Sequence, residues 1–295
     1  MTEIQQTLPP LIAGEVLFDH FPDGQRILGG APMNVAWNLQ GLGLPPVFLS
    51  AIGNDDDGKQ IRDSMFSWGM DTRGLQQNDR PTGRVAVTIV DGQPQYEIVE
   101  NVAFDFISRP DFQVNPSEFS ILAYGSLACR SHQSRETITD LIRQSSLRRF
   151  VDINIRDPFF DAKWLSTLIG DATWVKLSED ELSRLVDEPC QHESQIYEAS
   201  NTLRKRFGIN TVLVTCGSKG AYGIGPDGQT HAPVQPLEKI ADTVGAGDAF
   251  ASATIAGLVH SRPLAEILPN AVKFASRVCG LTGATTSDIR FYQNE

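Results

Sequence analysis

The segment Asp242-Thr243-Val244-Gly245-Ala246-Gly247-Asp248-Ala249-Phe250 has the residue types and spacing needed for anion chemistry. Gly245, Ala246 and Gly247 carry little or no side chain, so successive backbone N–H groups can point at an anion. Small and apolar residues continue at helical spacing to Val259, so the turn opens a buried helix whose dipole adds positive potential at this end. Asp248 falls in the first helical turn beside that anion, where a carboxylate can accept a hydroxyl proton. A phosphate cradle with a base alongside is what phosphoryl transfer to an alcohol requires. The plain structural alternative is a glycine-rich helix start in which Asp248 only complements the dipole.

Residues of this kind need a scaffold, and the rest of the chain supplies its pattern. Leu11 to Phe18, Val47 to Ile52, Ile121 to Ser126, Phe150 to Ile155, Thr173 to Leu177 and Thr211 to Cys216 read as strands. Between them, Ile61, Met65 and Trp68 recur at helical spacing after an N-cap at Asp55, and Ile138, Leu141 and Ile142 do so after Ser134. Alternation of this sort predicts an α/β class, a mainly parallel sheet with helices on both faces. Two stretches break it. Gly83 to Val99 reads as a hairpin around Asp91-Gly92, and Val16 to Leu28 turns at Pro22-Asp23-Gly24. Together they predict a small separate sheet covering a cleft; an antiparallel edge extension of the main sheet is the alternative.

Composition bounds the partners. Of 295 residues, 41% are hydrophobic and 21% charged, which suits a folded globular protein with a sizeable core. Lys and Arg number 25 against 36 Asp and Glu, a net charge of −11 that repels nucleic acid and anionic membranes. Met1 to Pro10 lacks the basic and apolar regions of a secretory signal, and no run approaches the ~20 apolar residues of a membrane span. Cys129, Cys190, Cys216 and Cys279 have no paired spacing and read as buried reduced thiols. A cytoplasmic protein is expected.

With Gly29-Gly30-Ala31-Pro32-Met33-Asn34 near the N-terminus, the Asp242 to Phe250 segment resembles the two signature regions of the ribokinase-like (PfkB-type) carbohydrate kinases, in matching order and separation. The resemblance spans almost the whole chain. It implies a single domain over residues 1–295, with a doubly wound α/β core and β-lid segments at about 16–28 and 83–107. It further implies Asp248 as catalytic base and Gly245, Ala246 and Gly247 as the anion hole. Asp19, Gly30 and Asn34 match sugar-binding positions, where short polar groups grip neighbouring hydroxyls. Read without the family, Asn34 is a helix cap and Asp19 a turn residue.

Asp152-Ile153-Asn154-Ile155-Arg156 looks like the corresponding segment of fructokinases and 2-keto-3-deoxygluconate kinases, which places Arg156 toward substrate or phosphate. A surface ion pair is its bland reading. Lys176 to Glu181 falls where the family has Asn-x-x-Glu, with Ser178 replacing the Asn. Lys176 is thereby assigned to the nucleotide, and Glu181 to magnesium through water; Ser178 and Glu181 also form an ordinary capping box. Thr215-Cys216-Gly217-Ser218-Lys219-Gly220 resembles the family's nucleotide loop, giving Thr215, Gly217 and Gly220, with Thr243, as nucleotide contacts, or else a plain turn. Asp242 matches a ligand of an activating monovalent cation such as potassium, although the segment around Gly283-Ala284 departs from the family pattern.

The implied reaction is transfer from Mg-ATP to a primary hydroxyl of a small sugar. Gly14 to Asp19, Ala31-Pro32 and Asp152 to Arg156 look most like fructokinases, and ribokinases usually have Lys at the Ala31 position. A 2-keto-3-deoxygluconate kinase is the nearest alternative. A sugar-binding regulator without catalysis is the reading from another class. A lid sheet has edges that could pair across a homodimer.

Overall fold

The computed structural model describes residues 7–90, 93–235 and 240–293. The chain runs β1 (Leu11–Ala13), β2 (Leu17–His20), β3 (Arg26–Gly29), α1 (Ala31–Gly41), β4 (Val47–Gly53), α2 (Asp56–Ser67), β5 (Leu75–Asn78), β6 (Gly83–Val90) and β7 (Gln93–Ile98). It continues through β8 (Ile121–Gly125), α3 (His132–Gln144), β9 (Arg148–Asp152), α4 (Leu165–Ile169), β10 (Trp174–Ser178), α5 (Glu179–Val186), α6 (Glu193–Phe207) and β11 (Thr211–Thr215). The last elements are β12 (Ala221–Gly225), β13 (Gly228–Ala232), α7 (Ala246–Val259), α8 (Leu264–Val278) and α9 (Ile289–Tyr292).

Nine strands form the main sheet in the order β13-β12-β11-β10-β9-β8-β1-β4-β5. It is parallel from β5 to β11, and β12 and β13 extend that edge antiparallel. Alternate strand residues point to opposite faces, so the core is double. Leu11, Ala13, Leu122 and Val151 pack with Ile138 of α3, Leu182 of α5 and Leu203 of α6. Ile12, Ala123 and Phe150 pack on the other face with Met33 of α1, Ile61 of α2, Ile255 of α7 and Leu268 of α8. This is the doubly wound α/β class that the alternation predicts. Strand order reverses between β1 and β8, and the crevice beyond strand C-termini at such a point is where ligands bind in open α/β sheets.

The run Leu11 to Phe18 is two strands, not one. Pro32 packs so tightly on Gly14 that an added Cβ would lie 2.4 Å from its ring, and the chain leaves the main sheet there. β2 enters a second, four-stranded sheet of order β3-β2-β6-β7. That is the separate small sheet expected from the two insertions; the Asp91-Gly92 turn itself lies outside the described residues. After β7 the chain returns to the core, where Ala103, Phe104 and Asp105 are buried.

Two acids at the start of α2 join the layers. Asp55 caps the helix, accepting from Gly58 N at 2.8 Å, and also accepts from Thr82 N at 2.8 Å and Thr82 Oγ1 at 2.5 Å, immediately before β6. Asp57 pairs with His20 of β2 at 3.0 Å and with Arg26 of β3. For α3 the N-cap is Ser131, not Ser134. Ser134 is buried one turn in, donating to Phe104 O at 2.7 Å and accepting from Ile107 N at 2.9 Å. Phe150 to Ile155 also shifts: β9 ends at Asp152, and Asn154 takes a left-handed conformation, φ 47°.

Candidate active site

α7 begins where the sequence places it. Its N-cap, Gly245, has φ 77°, and a Cβ there would lie 2.2 Å from Ala284 Cβ, so glycine is required on two counts. At the first turn, the N–H groups of Gly247 and Asp248 have no intrahelical carbonyl to bond and remain available to an anion. Ala246 N is partly engaged, donating to Thr243 O at 3.3 Å.

Asp248 Oδ2 accepts from Asn34 Nδ2 at 2.7 Å. Asn34 sits in the first turn of α1, behind Gly30, whose φ of 105° and close approach to the Glu15 carbonyl exclude a side chain. Its amide is therefore spent across the cleft on Asp248 and not on capping its own helix. Burial raises the Asp248 pKa, opposed by the Asn34 hydrogen bond and by the charges of Lys176 and Arg156.

Lys176 projects from β10 under the same turn, and a Cβ on Gly247 would lie 3.0 Å from its Nζ. The Nζ donates to both Asp152 oxygens, at 3.0 and 2.9 Å, and both residues are buried. Burial pulls the Lys176 pKa down, but Asp152 overcomes this and keeps the lysine charged. In the sequence Asp152 has no role beyond opening the Asp152 to Arg156 segment. The available signal was a lysine inside the otherwise apolar run Trp174 to Leu177, which needs a buried counter-charge.

Asp19 lies on β2 in the small sheet, its side chain without a hydrogen bond among the described residues, and burial pushes its pKa up to about 6. Arg156 is exposed on the loop after β9 and donates to Ile155 O at 3.0 Å. Glu181 accepts from Ile155 N at 2.5 Å and from Ser178 N at 2.7 Å, while Ser178 accepts from Glu181 N at 3.1 Å. The capping box is thus real, and Glu181 also ties the Arg156 loop to α5.

Thr215, Gly217 and Gly220 surround the tight turn between β11 and β12. Thr215 Oγ1 donates to Leu177 O at 3.4 Å, and a Cβ at Gly220 would lie 2.0 Å from Ala232 O. Among the described residues no side-chain hydrogen bond joins this turn to Asp248. Thr243 is exposed just before α7. Asp242 accepts from Val244 N at 3.0 Å and Gly283 N at 3.4 Å.

No cluster of three or more metal-ligating side chains occurs among the described residues. Magnesium usually retains several waters and is held largely by substrate phosphates, so a single nearby carboxylate, Glu181, fits that mode. Asp242 accepts one backbone amide at each carboxylate oxygen, which leaves acceptor lone pairs on both. No helix among the described residues is long and apolar enough to cross a membrane.

A parallel sheet with its switch-point crevice, a helix-start anion cradle and an adjoining carboxylate together define a phosphotransferase-type site. The chain belongs to the pfkB family of carbohydrate kinases, whose model matches residues 11–290. It is 29% identical over 262 residues to a putative sugar kinase of Pyrococcus horikoshii, covering 86% of this chain and 80% of that protein. It is also 29% identical to a fructokinase of Klebsiella pneumoniae, covering 93% and 92% of the two chains. The crystal structure of the Pyrococcus horikoshii sugar kinase in complex with ATP superposes with a TM-score of 0.78 at 25% identity, covering 93% of each chain.

Proposed function

We propose that this chain is an ATP-dependent fructokinase in which Asp248 deprotonates the primary hydroxyl of D-fructose. The observation that carries the reading is the Asn34–Asp248 hydrogen bond of 2.7 Å, which aims a carboxylate at the mouth of an amide cradle. Asp19, Gly30 and Asn34 hold the sugar; the turn of Gly245, Ala246 and Gly247 stabilises charge developing on the phosphoryl group as it passes to the sugar hydroxyl. Lys176, kept charged by Asp152, adds positive potential under that turn. Thr215, Gly217, Gly220 and Thr243 contact the nucleotide. Magnesium bound with ATP would neutralise phosphate charge, and Glu181 would help to hold it through water. The small sheet excludes water from the cleft, limiting hydrolysis of ATP.

The charge inventory favours a neutral acceptor. Asp19 and Asp248 are the acids assigned to the acceptor side, whereas Lys176 is bound to Asp152 and Arg130 to Asp105. Among the described residues Arg156 alone supplies a cation near Asp248 without a carboxylate partner, and it is the observation that keeps 2-keto-3-deoxygluconate as a second reading. A coupled ADP-release assay with fructose, ribose, aminoimidazole riboside and 2-keto-3-deoxygluconate separates them. The highest kcat/KM is expected for fructose; a higher value for the sugar acid would replace the first reading with the second. Sugar binding without ADP release would identify a regulator.

A further inference from the structure

One buried acid has no part in this mechanism. Glu15 follows the last residues of β1, at the switch point, and is 2% exposed. Its Oε2 has no hydrogen-bond partner among the described residues. It lines a small cavity with Ala31 and Pro32 of α1 on one side and Asp152 and Asn154 on the other. A carboxyl oxygen buried without a donor is costly, and such a group persists where another state of the protein satisfies it.

The groups around it narrow the choice of donor. Arg130 is committed to Asp105, at 2.7 and 2.9 Å, and Lys176 to Asp152. Asp248 of α7 and Asp152 of β9 are themselves acids. Burial holds the Cys129 thiol neutral, its pKa up to about 12, and raises that of Tyr124 as well. Arg156 remains. Its charge acts on both Glu15 and Asp248, and it has no carboxylate partner among the described residues.

We propose that Glu15 is a positioning residue for the phosphoryl acceptor: it draws the Arg156 guanidinium into the filled cleft and fixes it against the acceptor's hydroxyl oxygens. The inference rests on Arg156 being an acceptor-side residue. Burial raises the Glu15 pKa to about 7, so the carboxylate that attracts Arg156 is present above that pH and lost below it. Burial also raises the Asp19 pKa, to about 6, so the double variant, which leaves Asp19 in place, separates its titration from that of Glu15.

The test uses Glu15→Gln, Arg156→Gln and the double variant, with D-fructose as acceptor, between about pH 6 and about pH 8. Glu15→Gln should raise the acceptor KM about tenfold at the upper pH and little at the lower, the loss of one charge-assisted contact, with kcat and the ATP KM unchanged. The double variant should be no worse than Arg156→Gln alone. An equal KM effect at both pH values, or additive losses in the double variant, would overturn the role of Glu15. If Arg156→Gln leaves the acceptor KM unchanged, the acceptor-side reading of Arg156 fails, and this inference with it. The comparison between pH values is internal to each protein, so a loss of folded material cannot imitate it.

Discussion

Asn34 contributes one hydrogen bond to Asp248, and that bond lowers a pKa which burial raises. The proposed base works when ionised, so activity should fall as pH drops through its folded pKa. Asn34→Ala removes the lowering contact and should move the acidic limb of kcat/KM about one pH unit upward, as read from a pH–rate profile. Asp248→Asn should retain sugar binding, measured calorimetrically, while kcat falls on the order of a thousandfold. The anion turn and Asp248 were legible in the sequence because they are contiguous and their glycines have few other uses. The partners of Asn34 and Lys176 were not, since each contact joins residues far apart in the chain. Glu15 was passed over because a carboxyl at a strand end is usually solvated, and only the packing of α1 reveals otherwise.

At the level of elements, the start of α2 ties the small sheet to the core. Asp55 satisfies a helix amide and both polar groups of Thr82, and these hydrogen bonds hold its pKa below the usual carboxylate range despite the opposing effect of burial. Its stabilisation is therefore present above the unfolded pKa and lost as pH falls through the folded one. Asp55→Ala should cost about 1–2 kcal/mol in urea denaturation at neutral pH, and less in acid. Because Thr82 precedes β6, the same variant should raise the acceptor KM. The hydrophobic face of α2 was readable from Ile61, Met65 and Trp68, but the cap of α3 was misplaced by three residues. Ser131 and Ser134 are both plausible caps until tertiary contacts with Phe104 and Ile107 claim the second. The edge strand β13 escaped notice for a different reason: Gly228 to Ala232 is largely exposed, with no apolar period to detect.

Across the whole molecule, alternation of strands and helices disclosed the fold class, while the split of the first strand depended on Pro32 pressing against Gly14, which no local pattern encodes. The same fold keeps Glu15 out of water. Its pKa is raised from 4.5 to about 7, so relative to the unfolded chain it favours folding fully below about 4.5, and that contribution is lost as pH rises through about 7. The difference corresponds to about 3 kcal/mol. Melting temperatures of Glu15→Gln and wild type should therefore coincide near about pH 4, below the unfolded pKa, with the variant melting higher near about pH 8. A wild type more stable than the variant at the higher pH would refute the assignment of burial as the dominant cause.

The bond between Asn34 and Asp248 spans 214 positions of sequence. During translation, α1 is made early and waits through most of synthesis for α7, which carries the proposed base and packs Phe250 and Ile255 into the same core as Met33. Two halves divided in an exposed loop between these elements should therefore report their reunion by the return of ADP release.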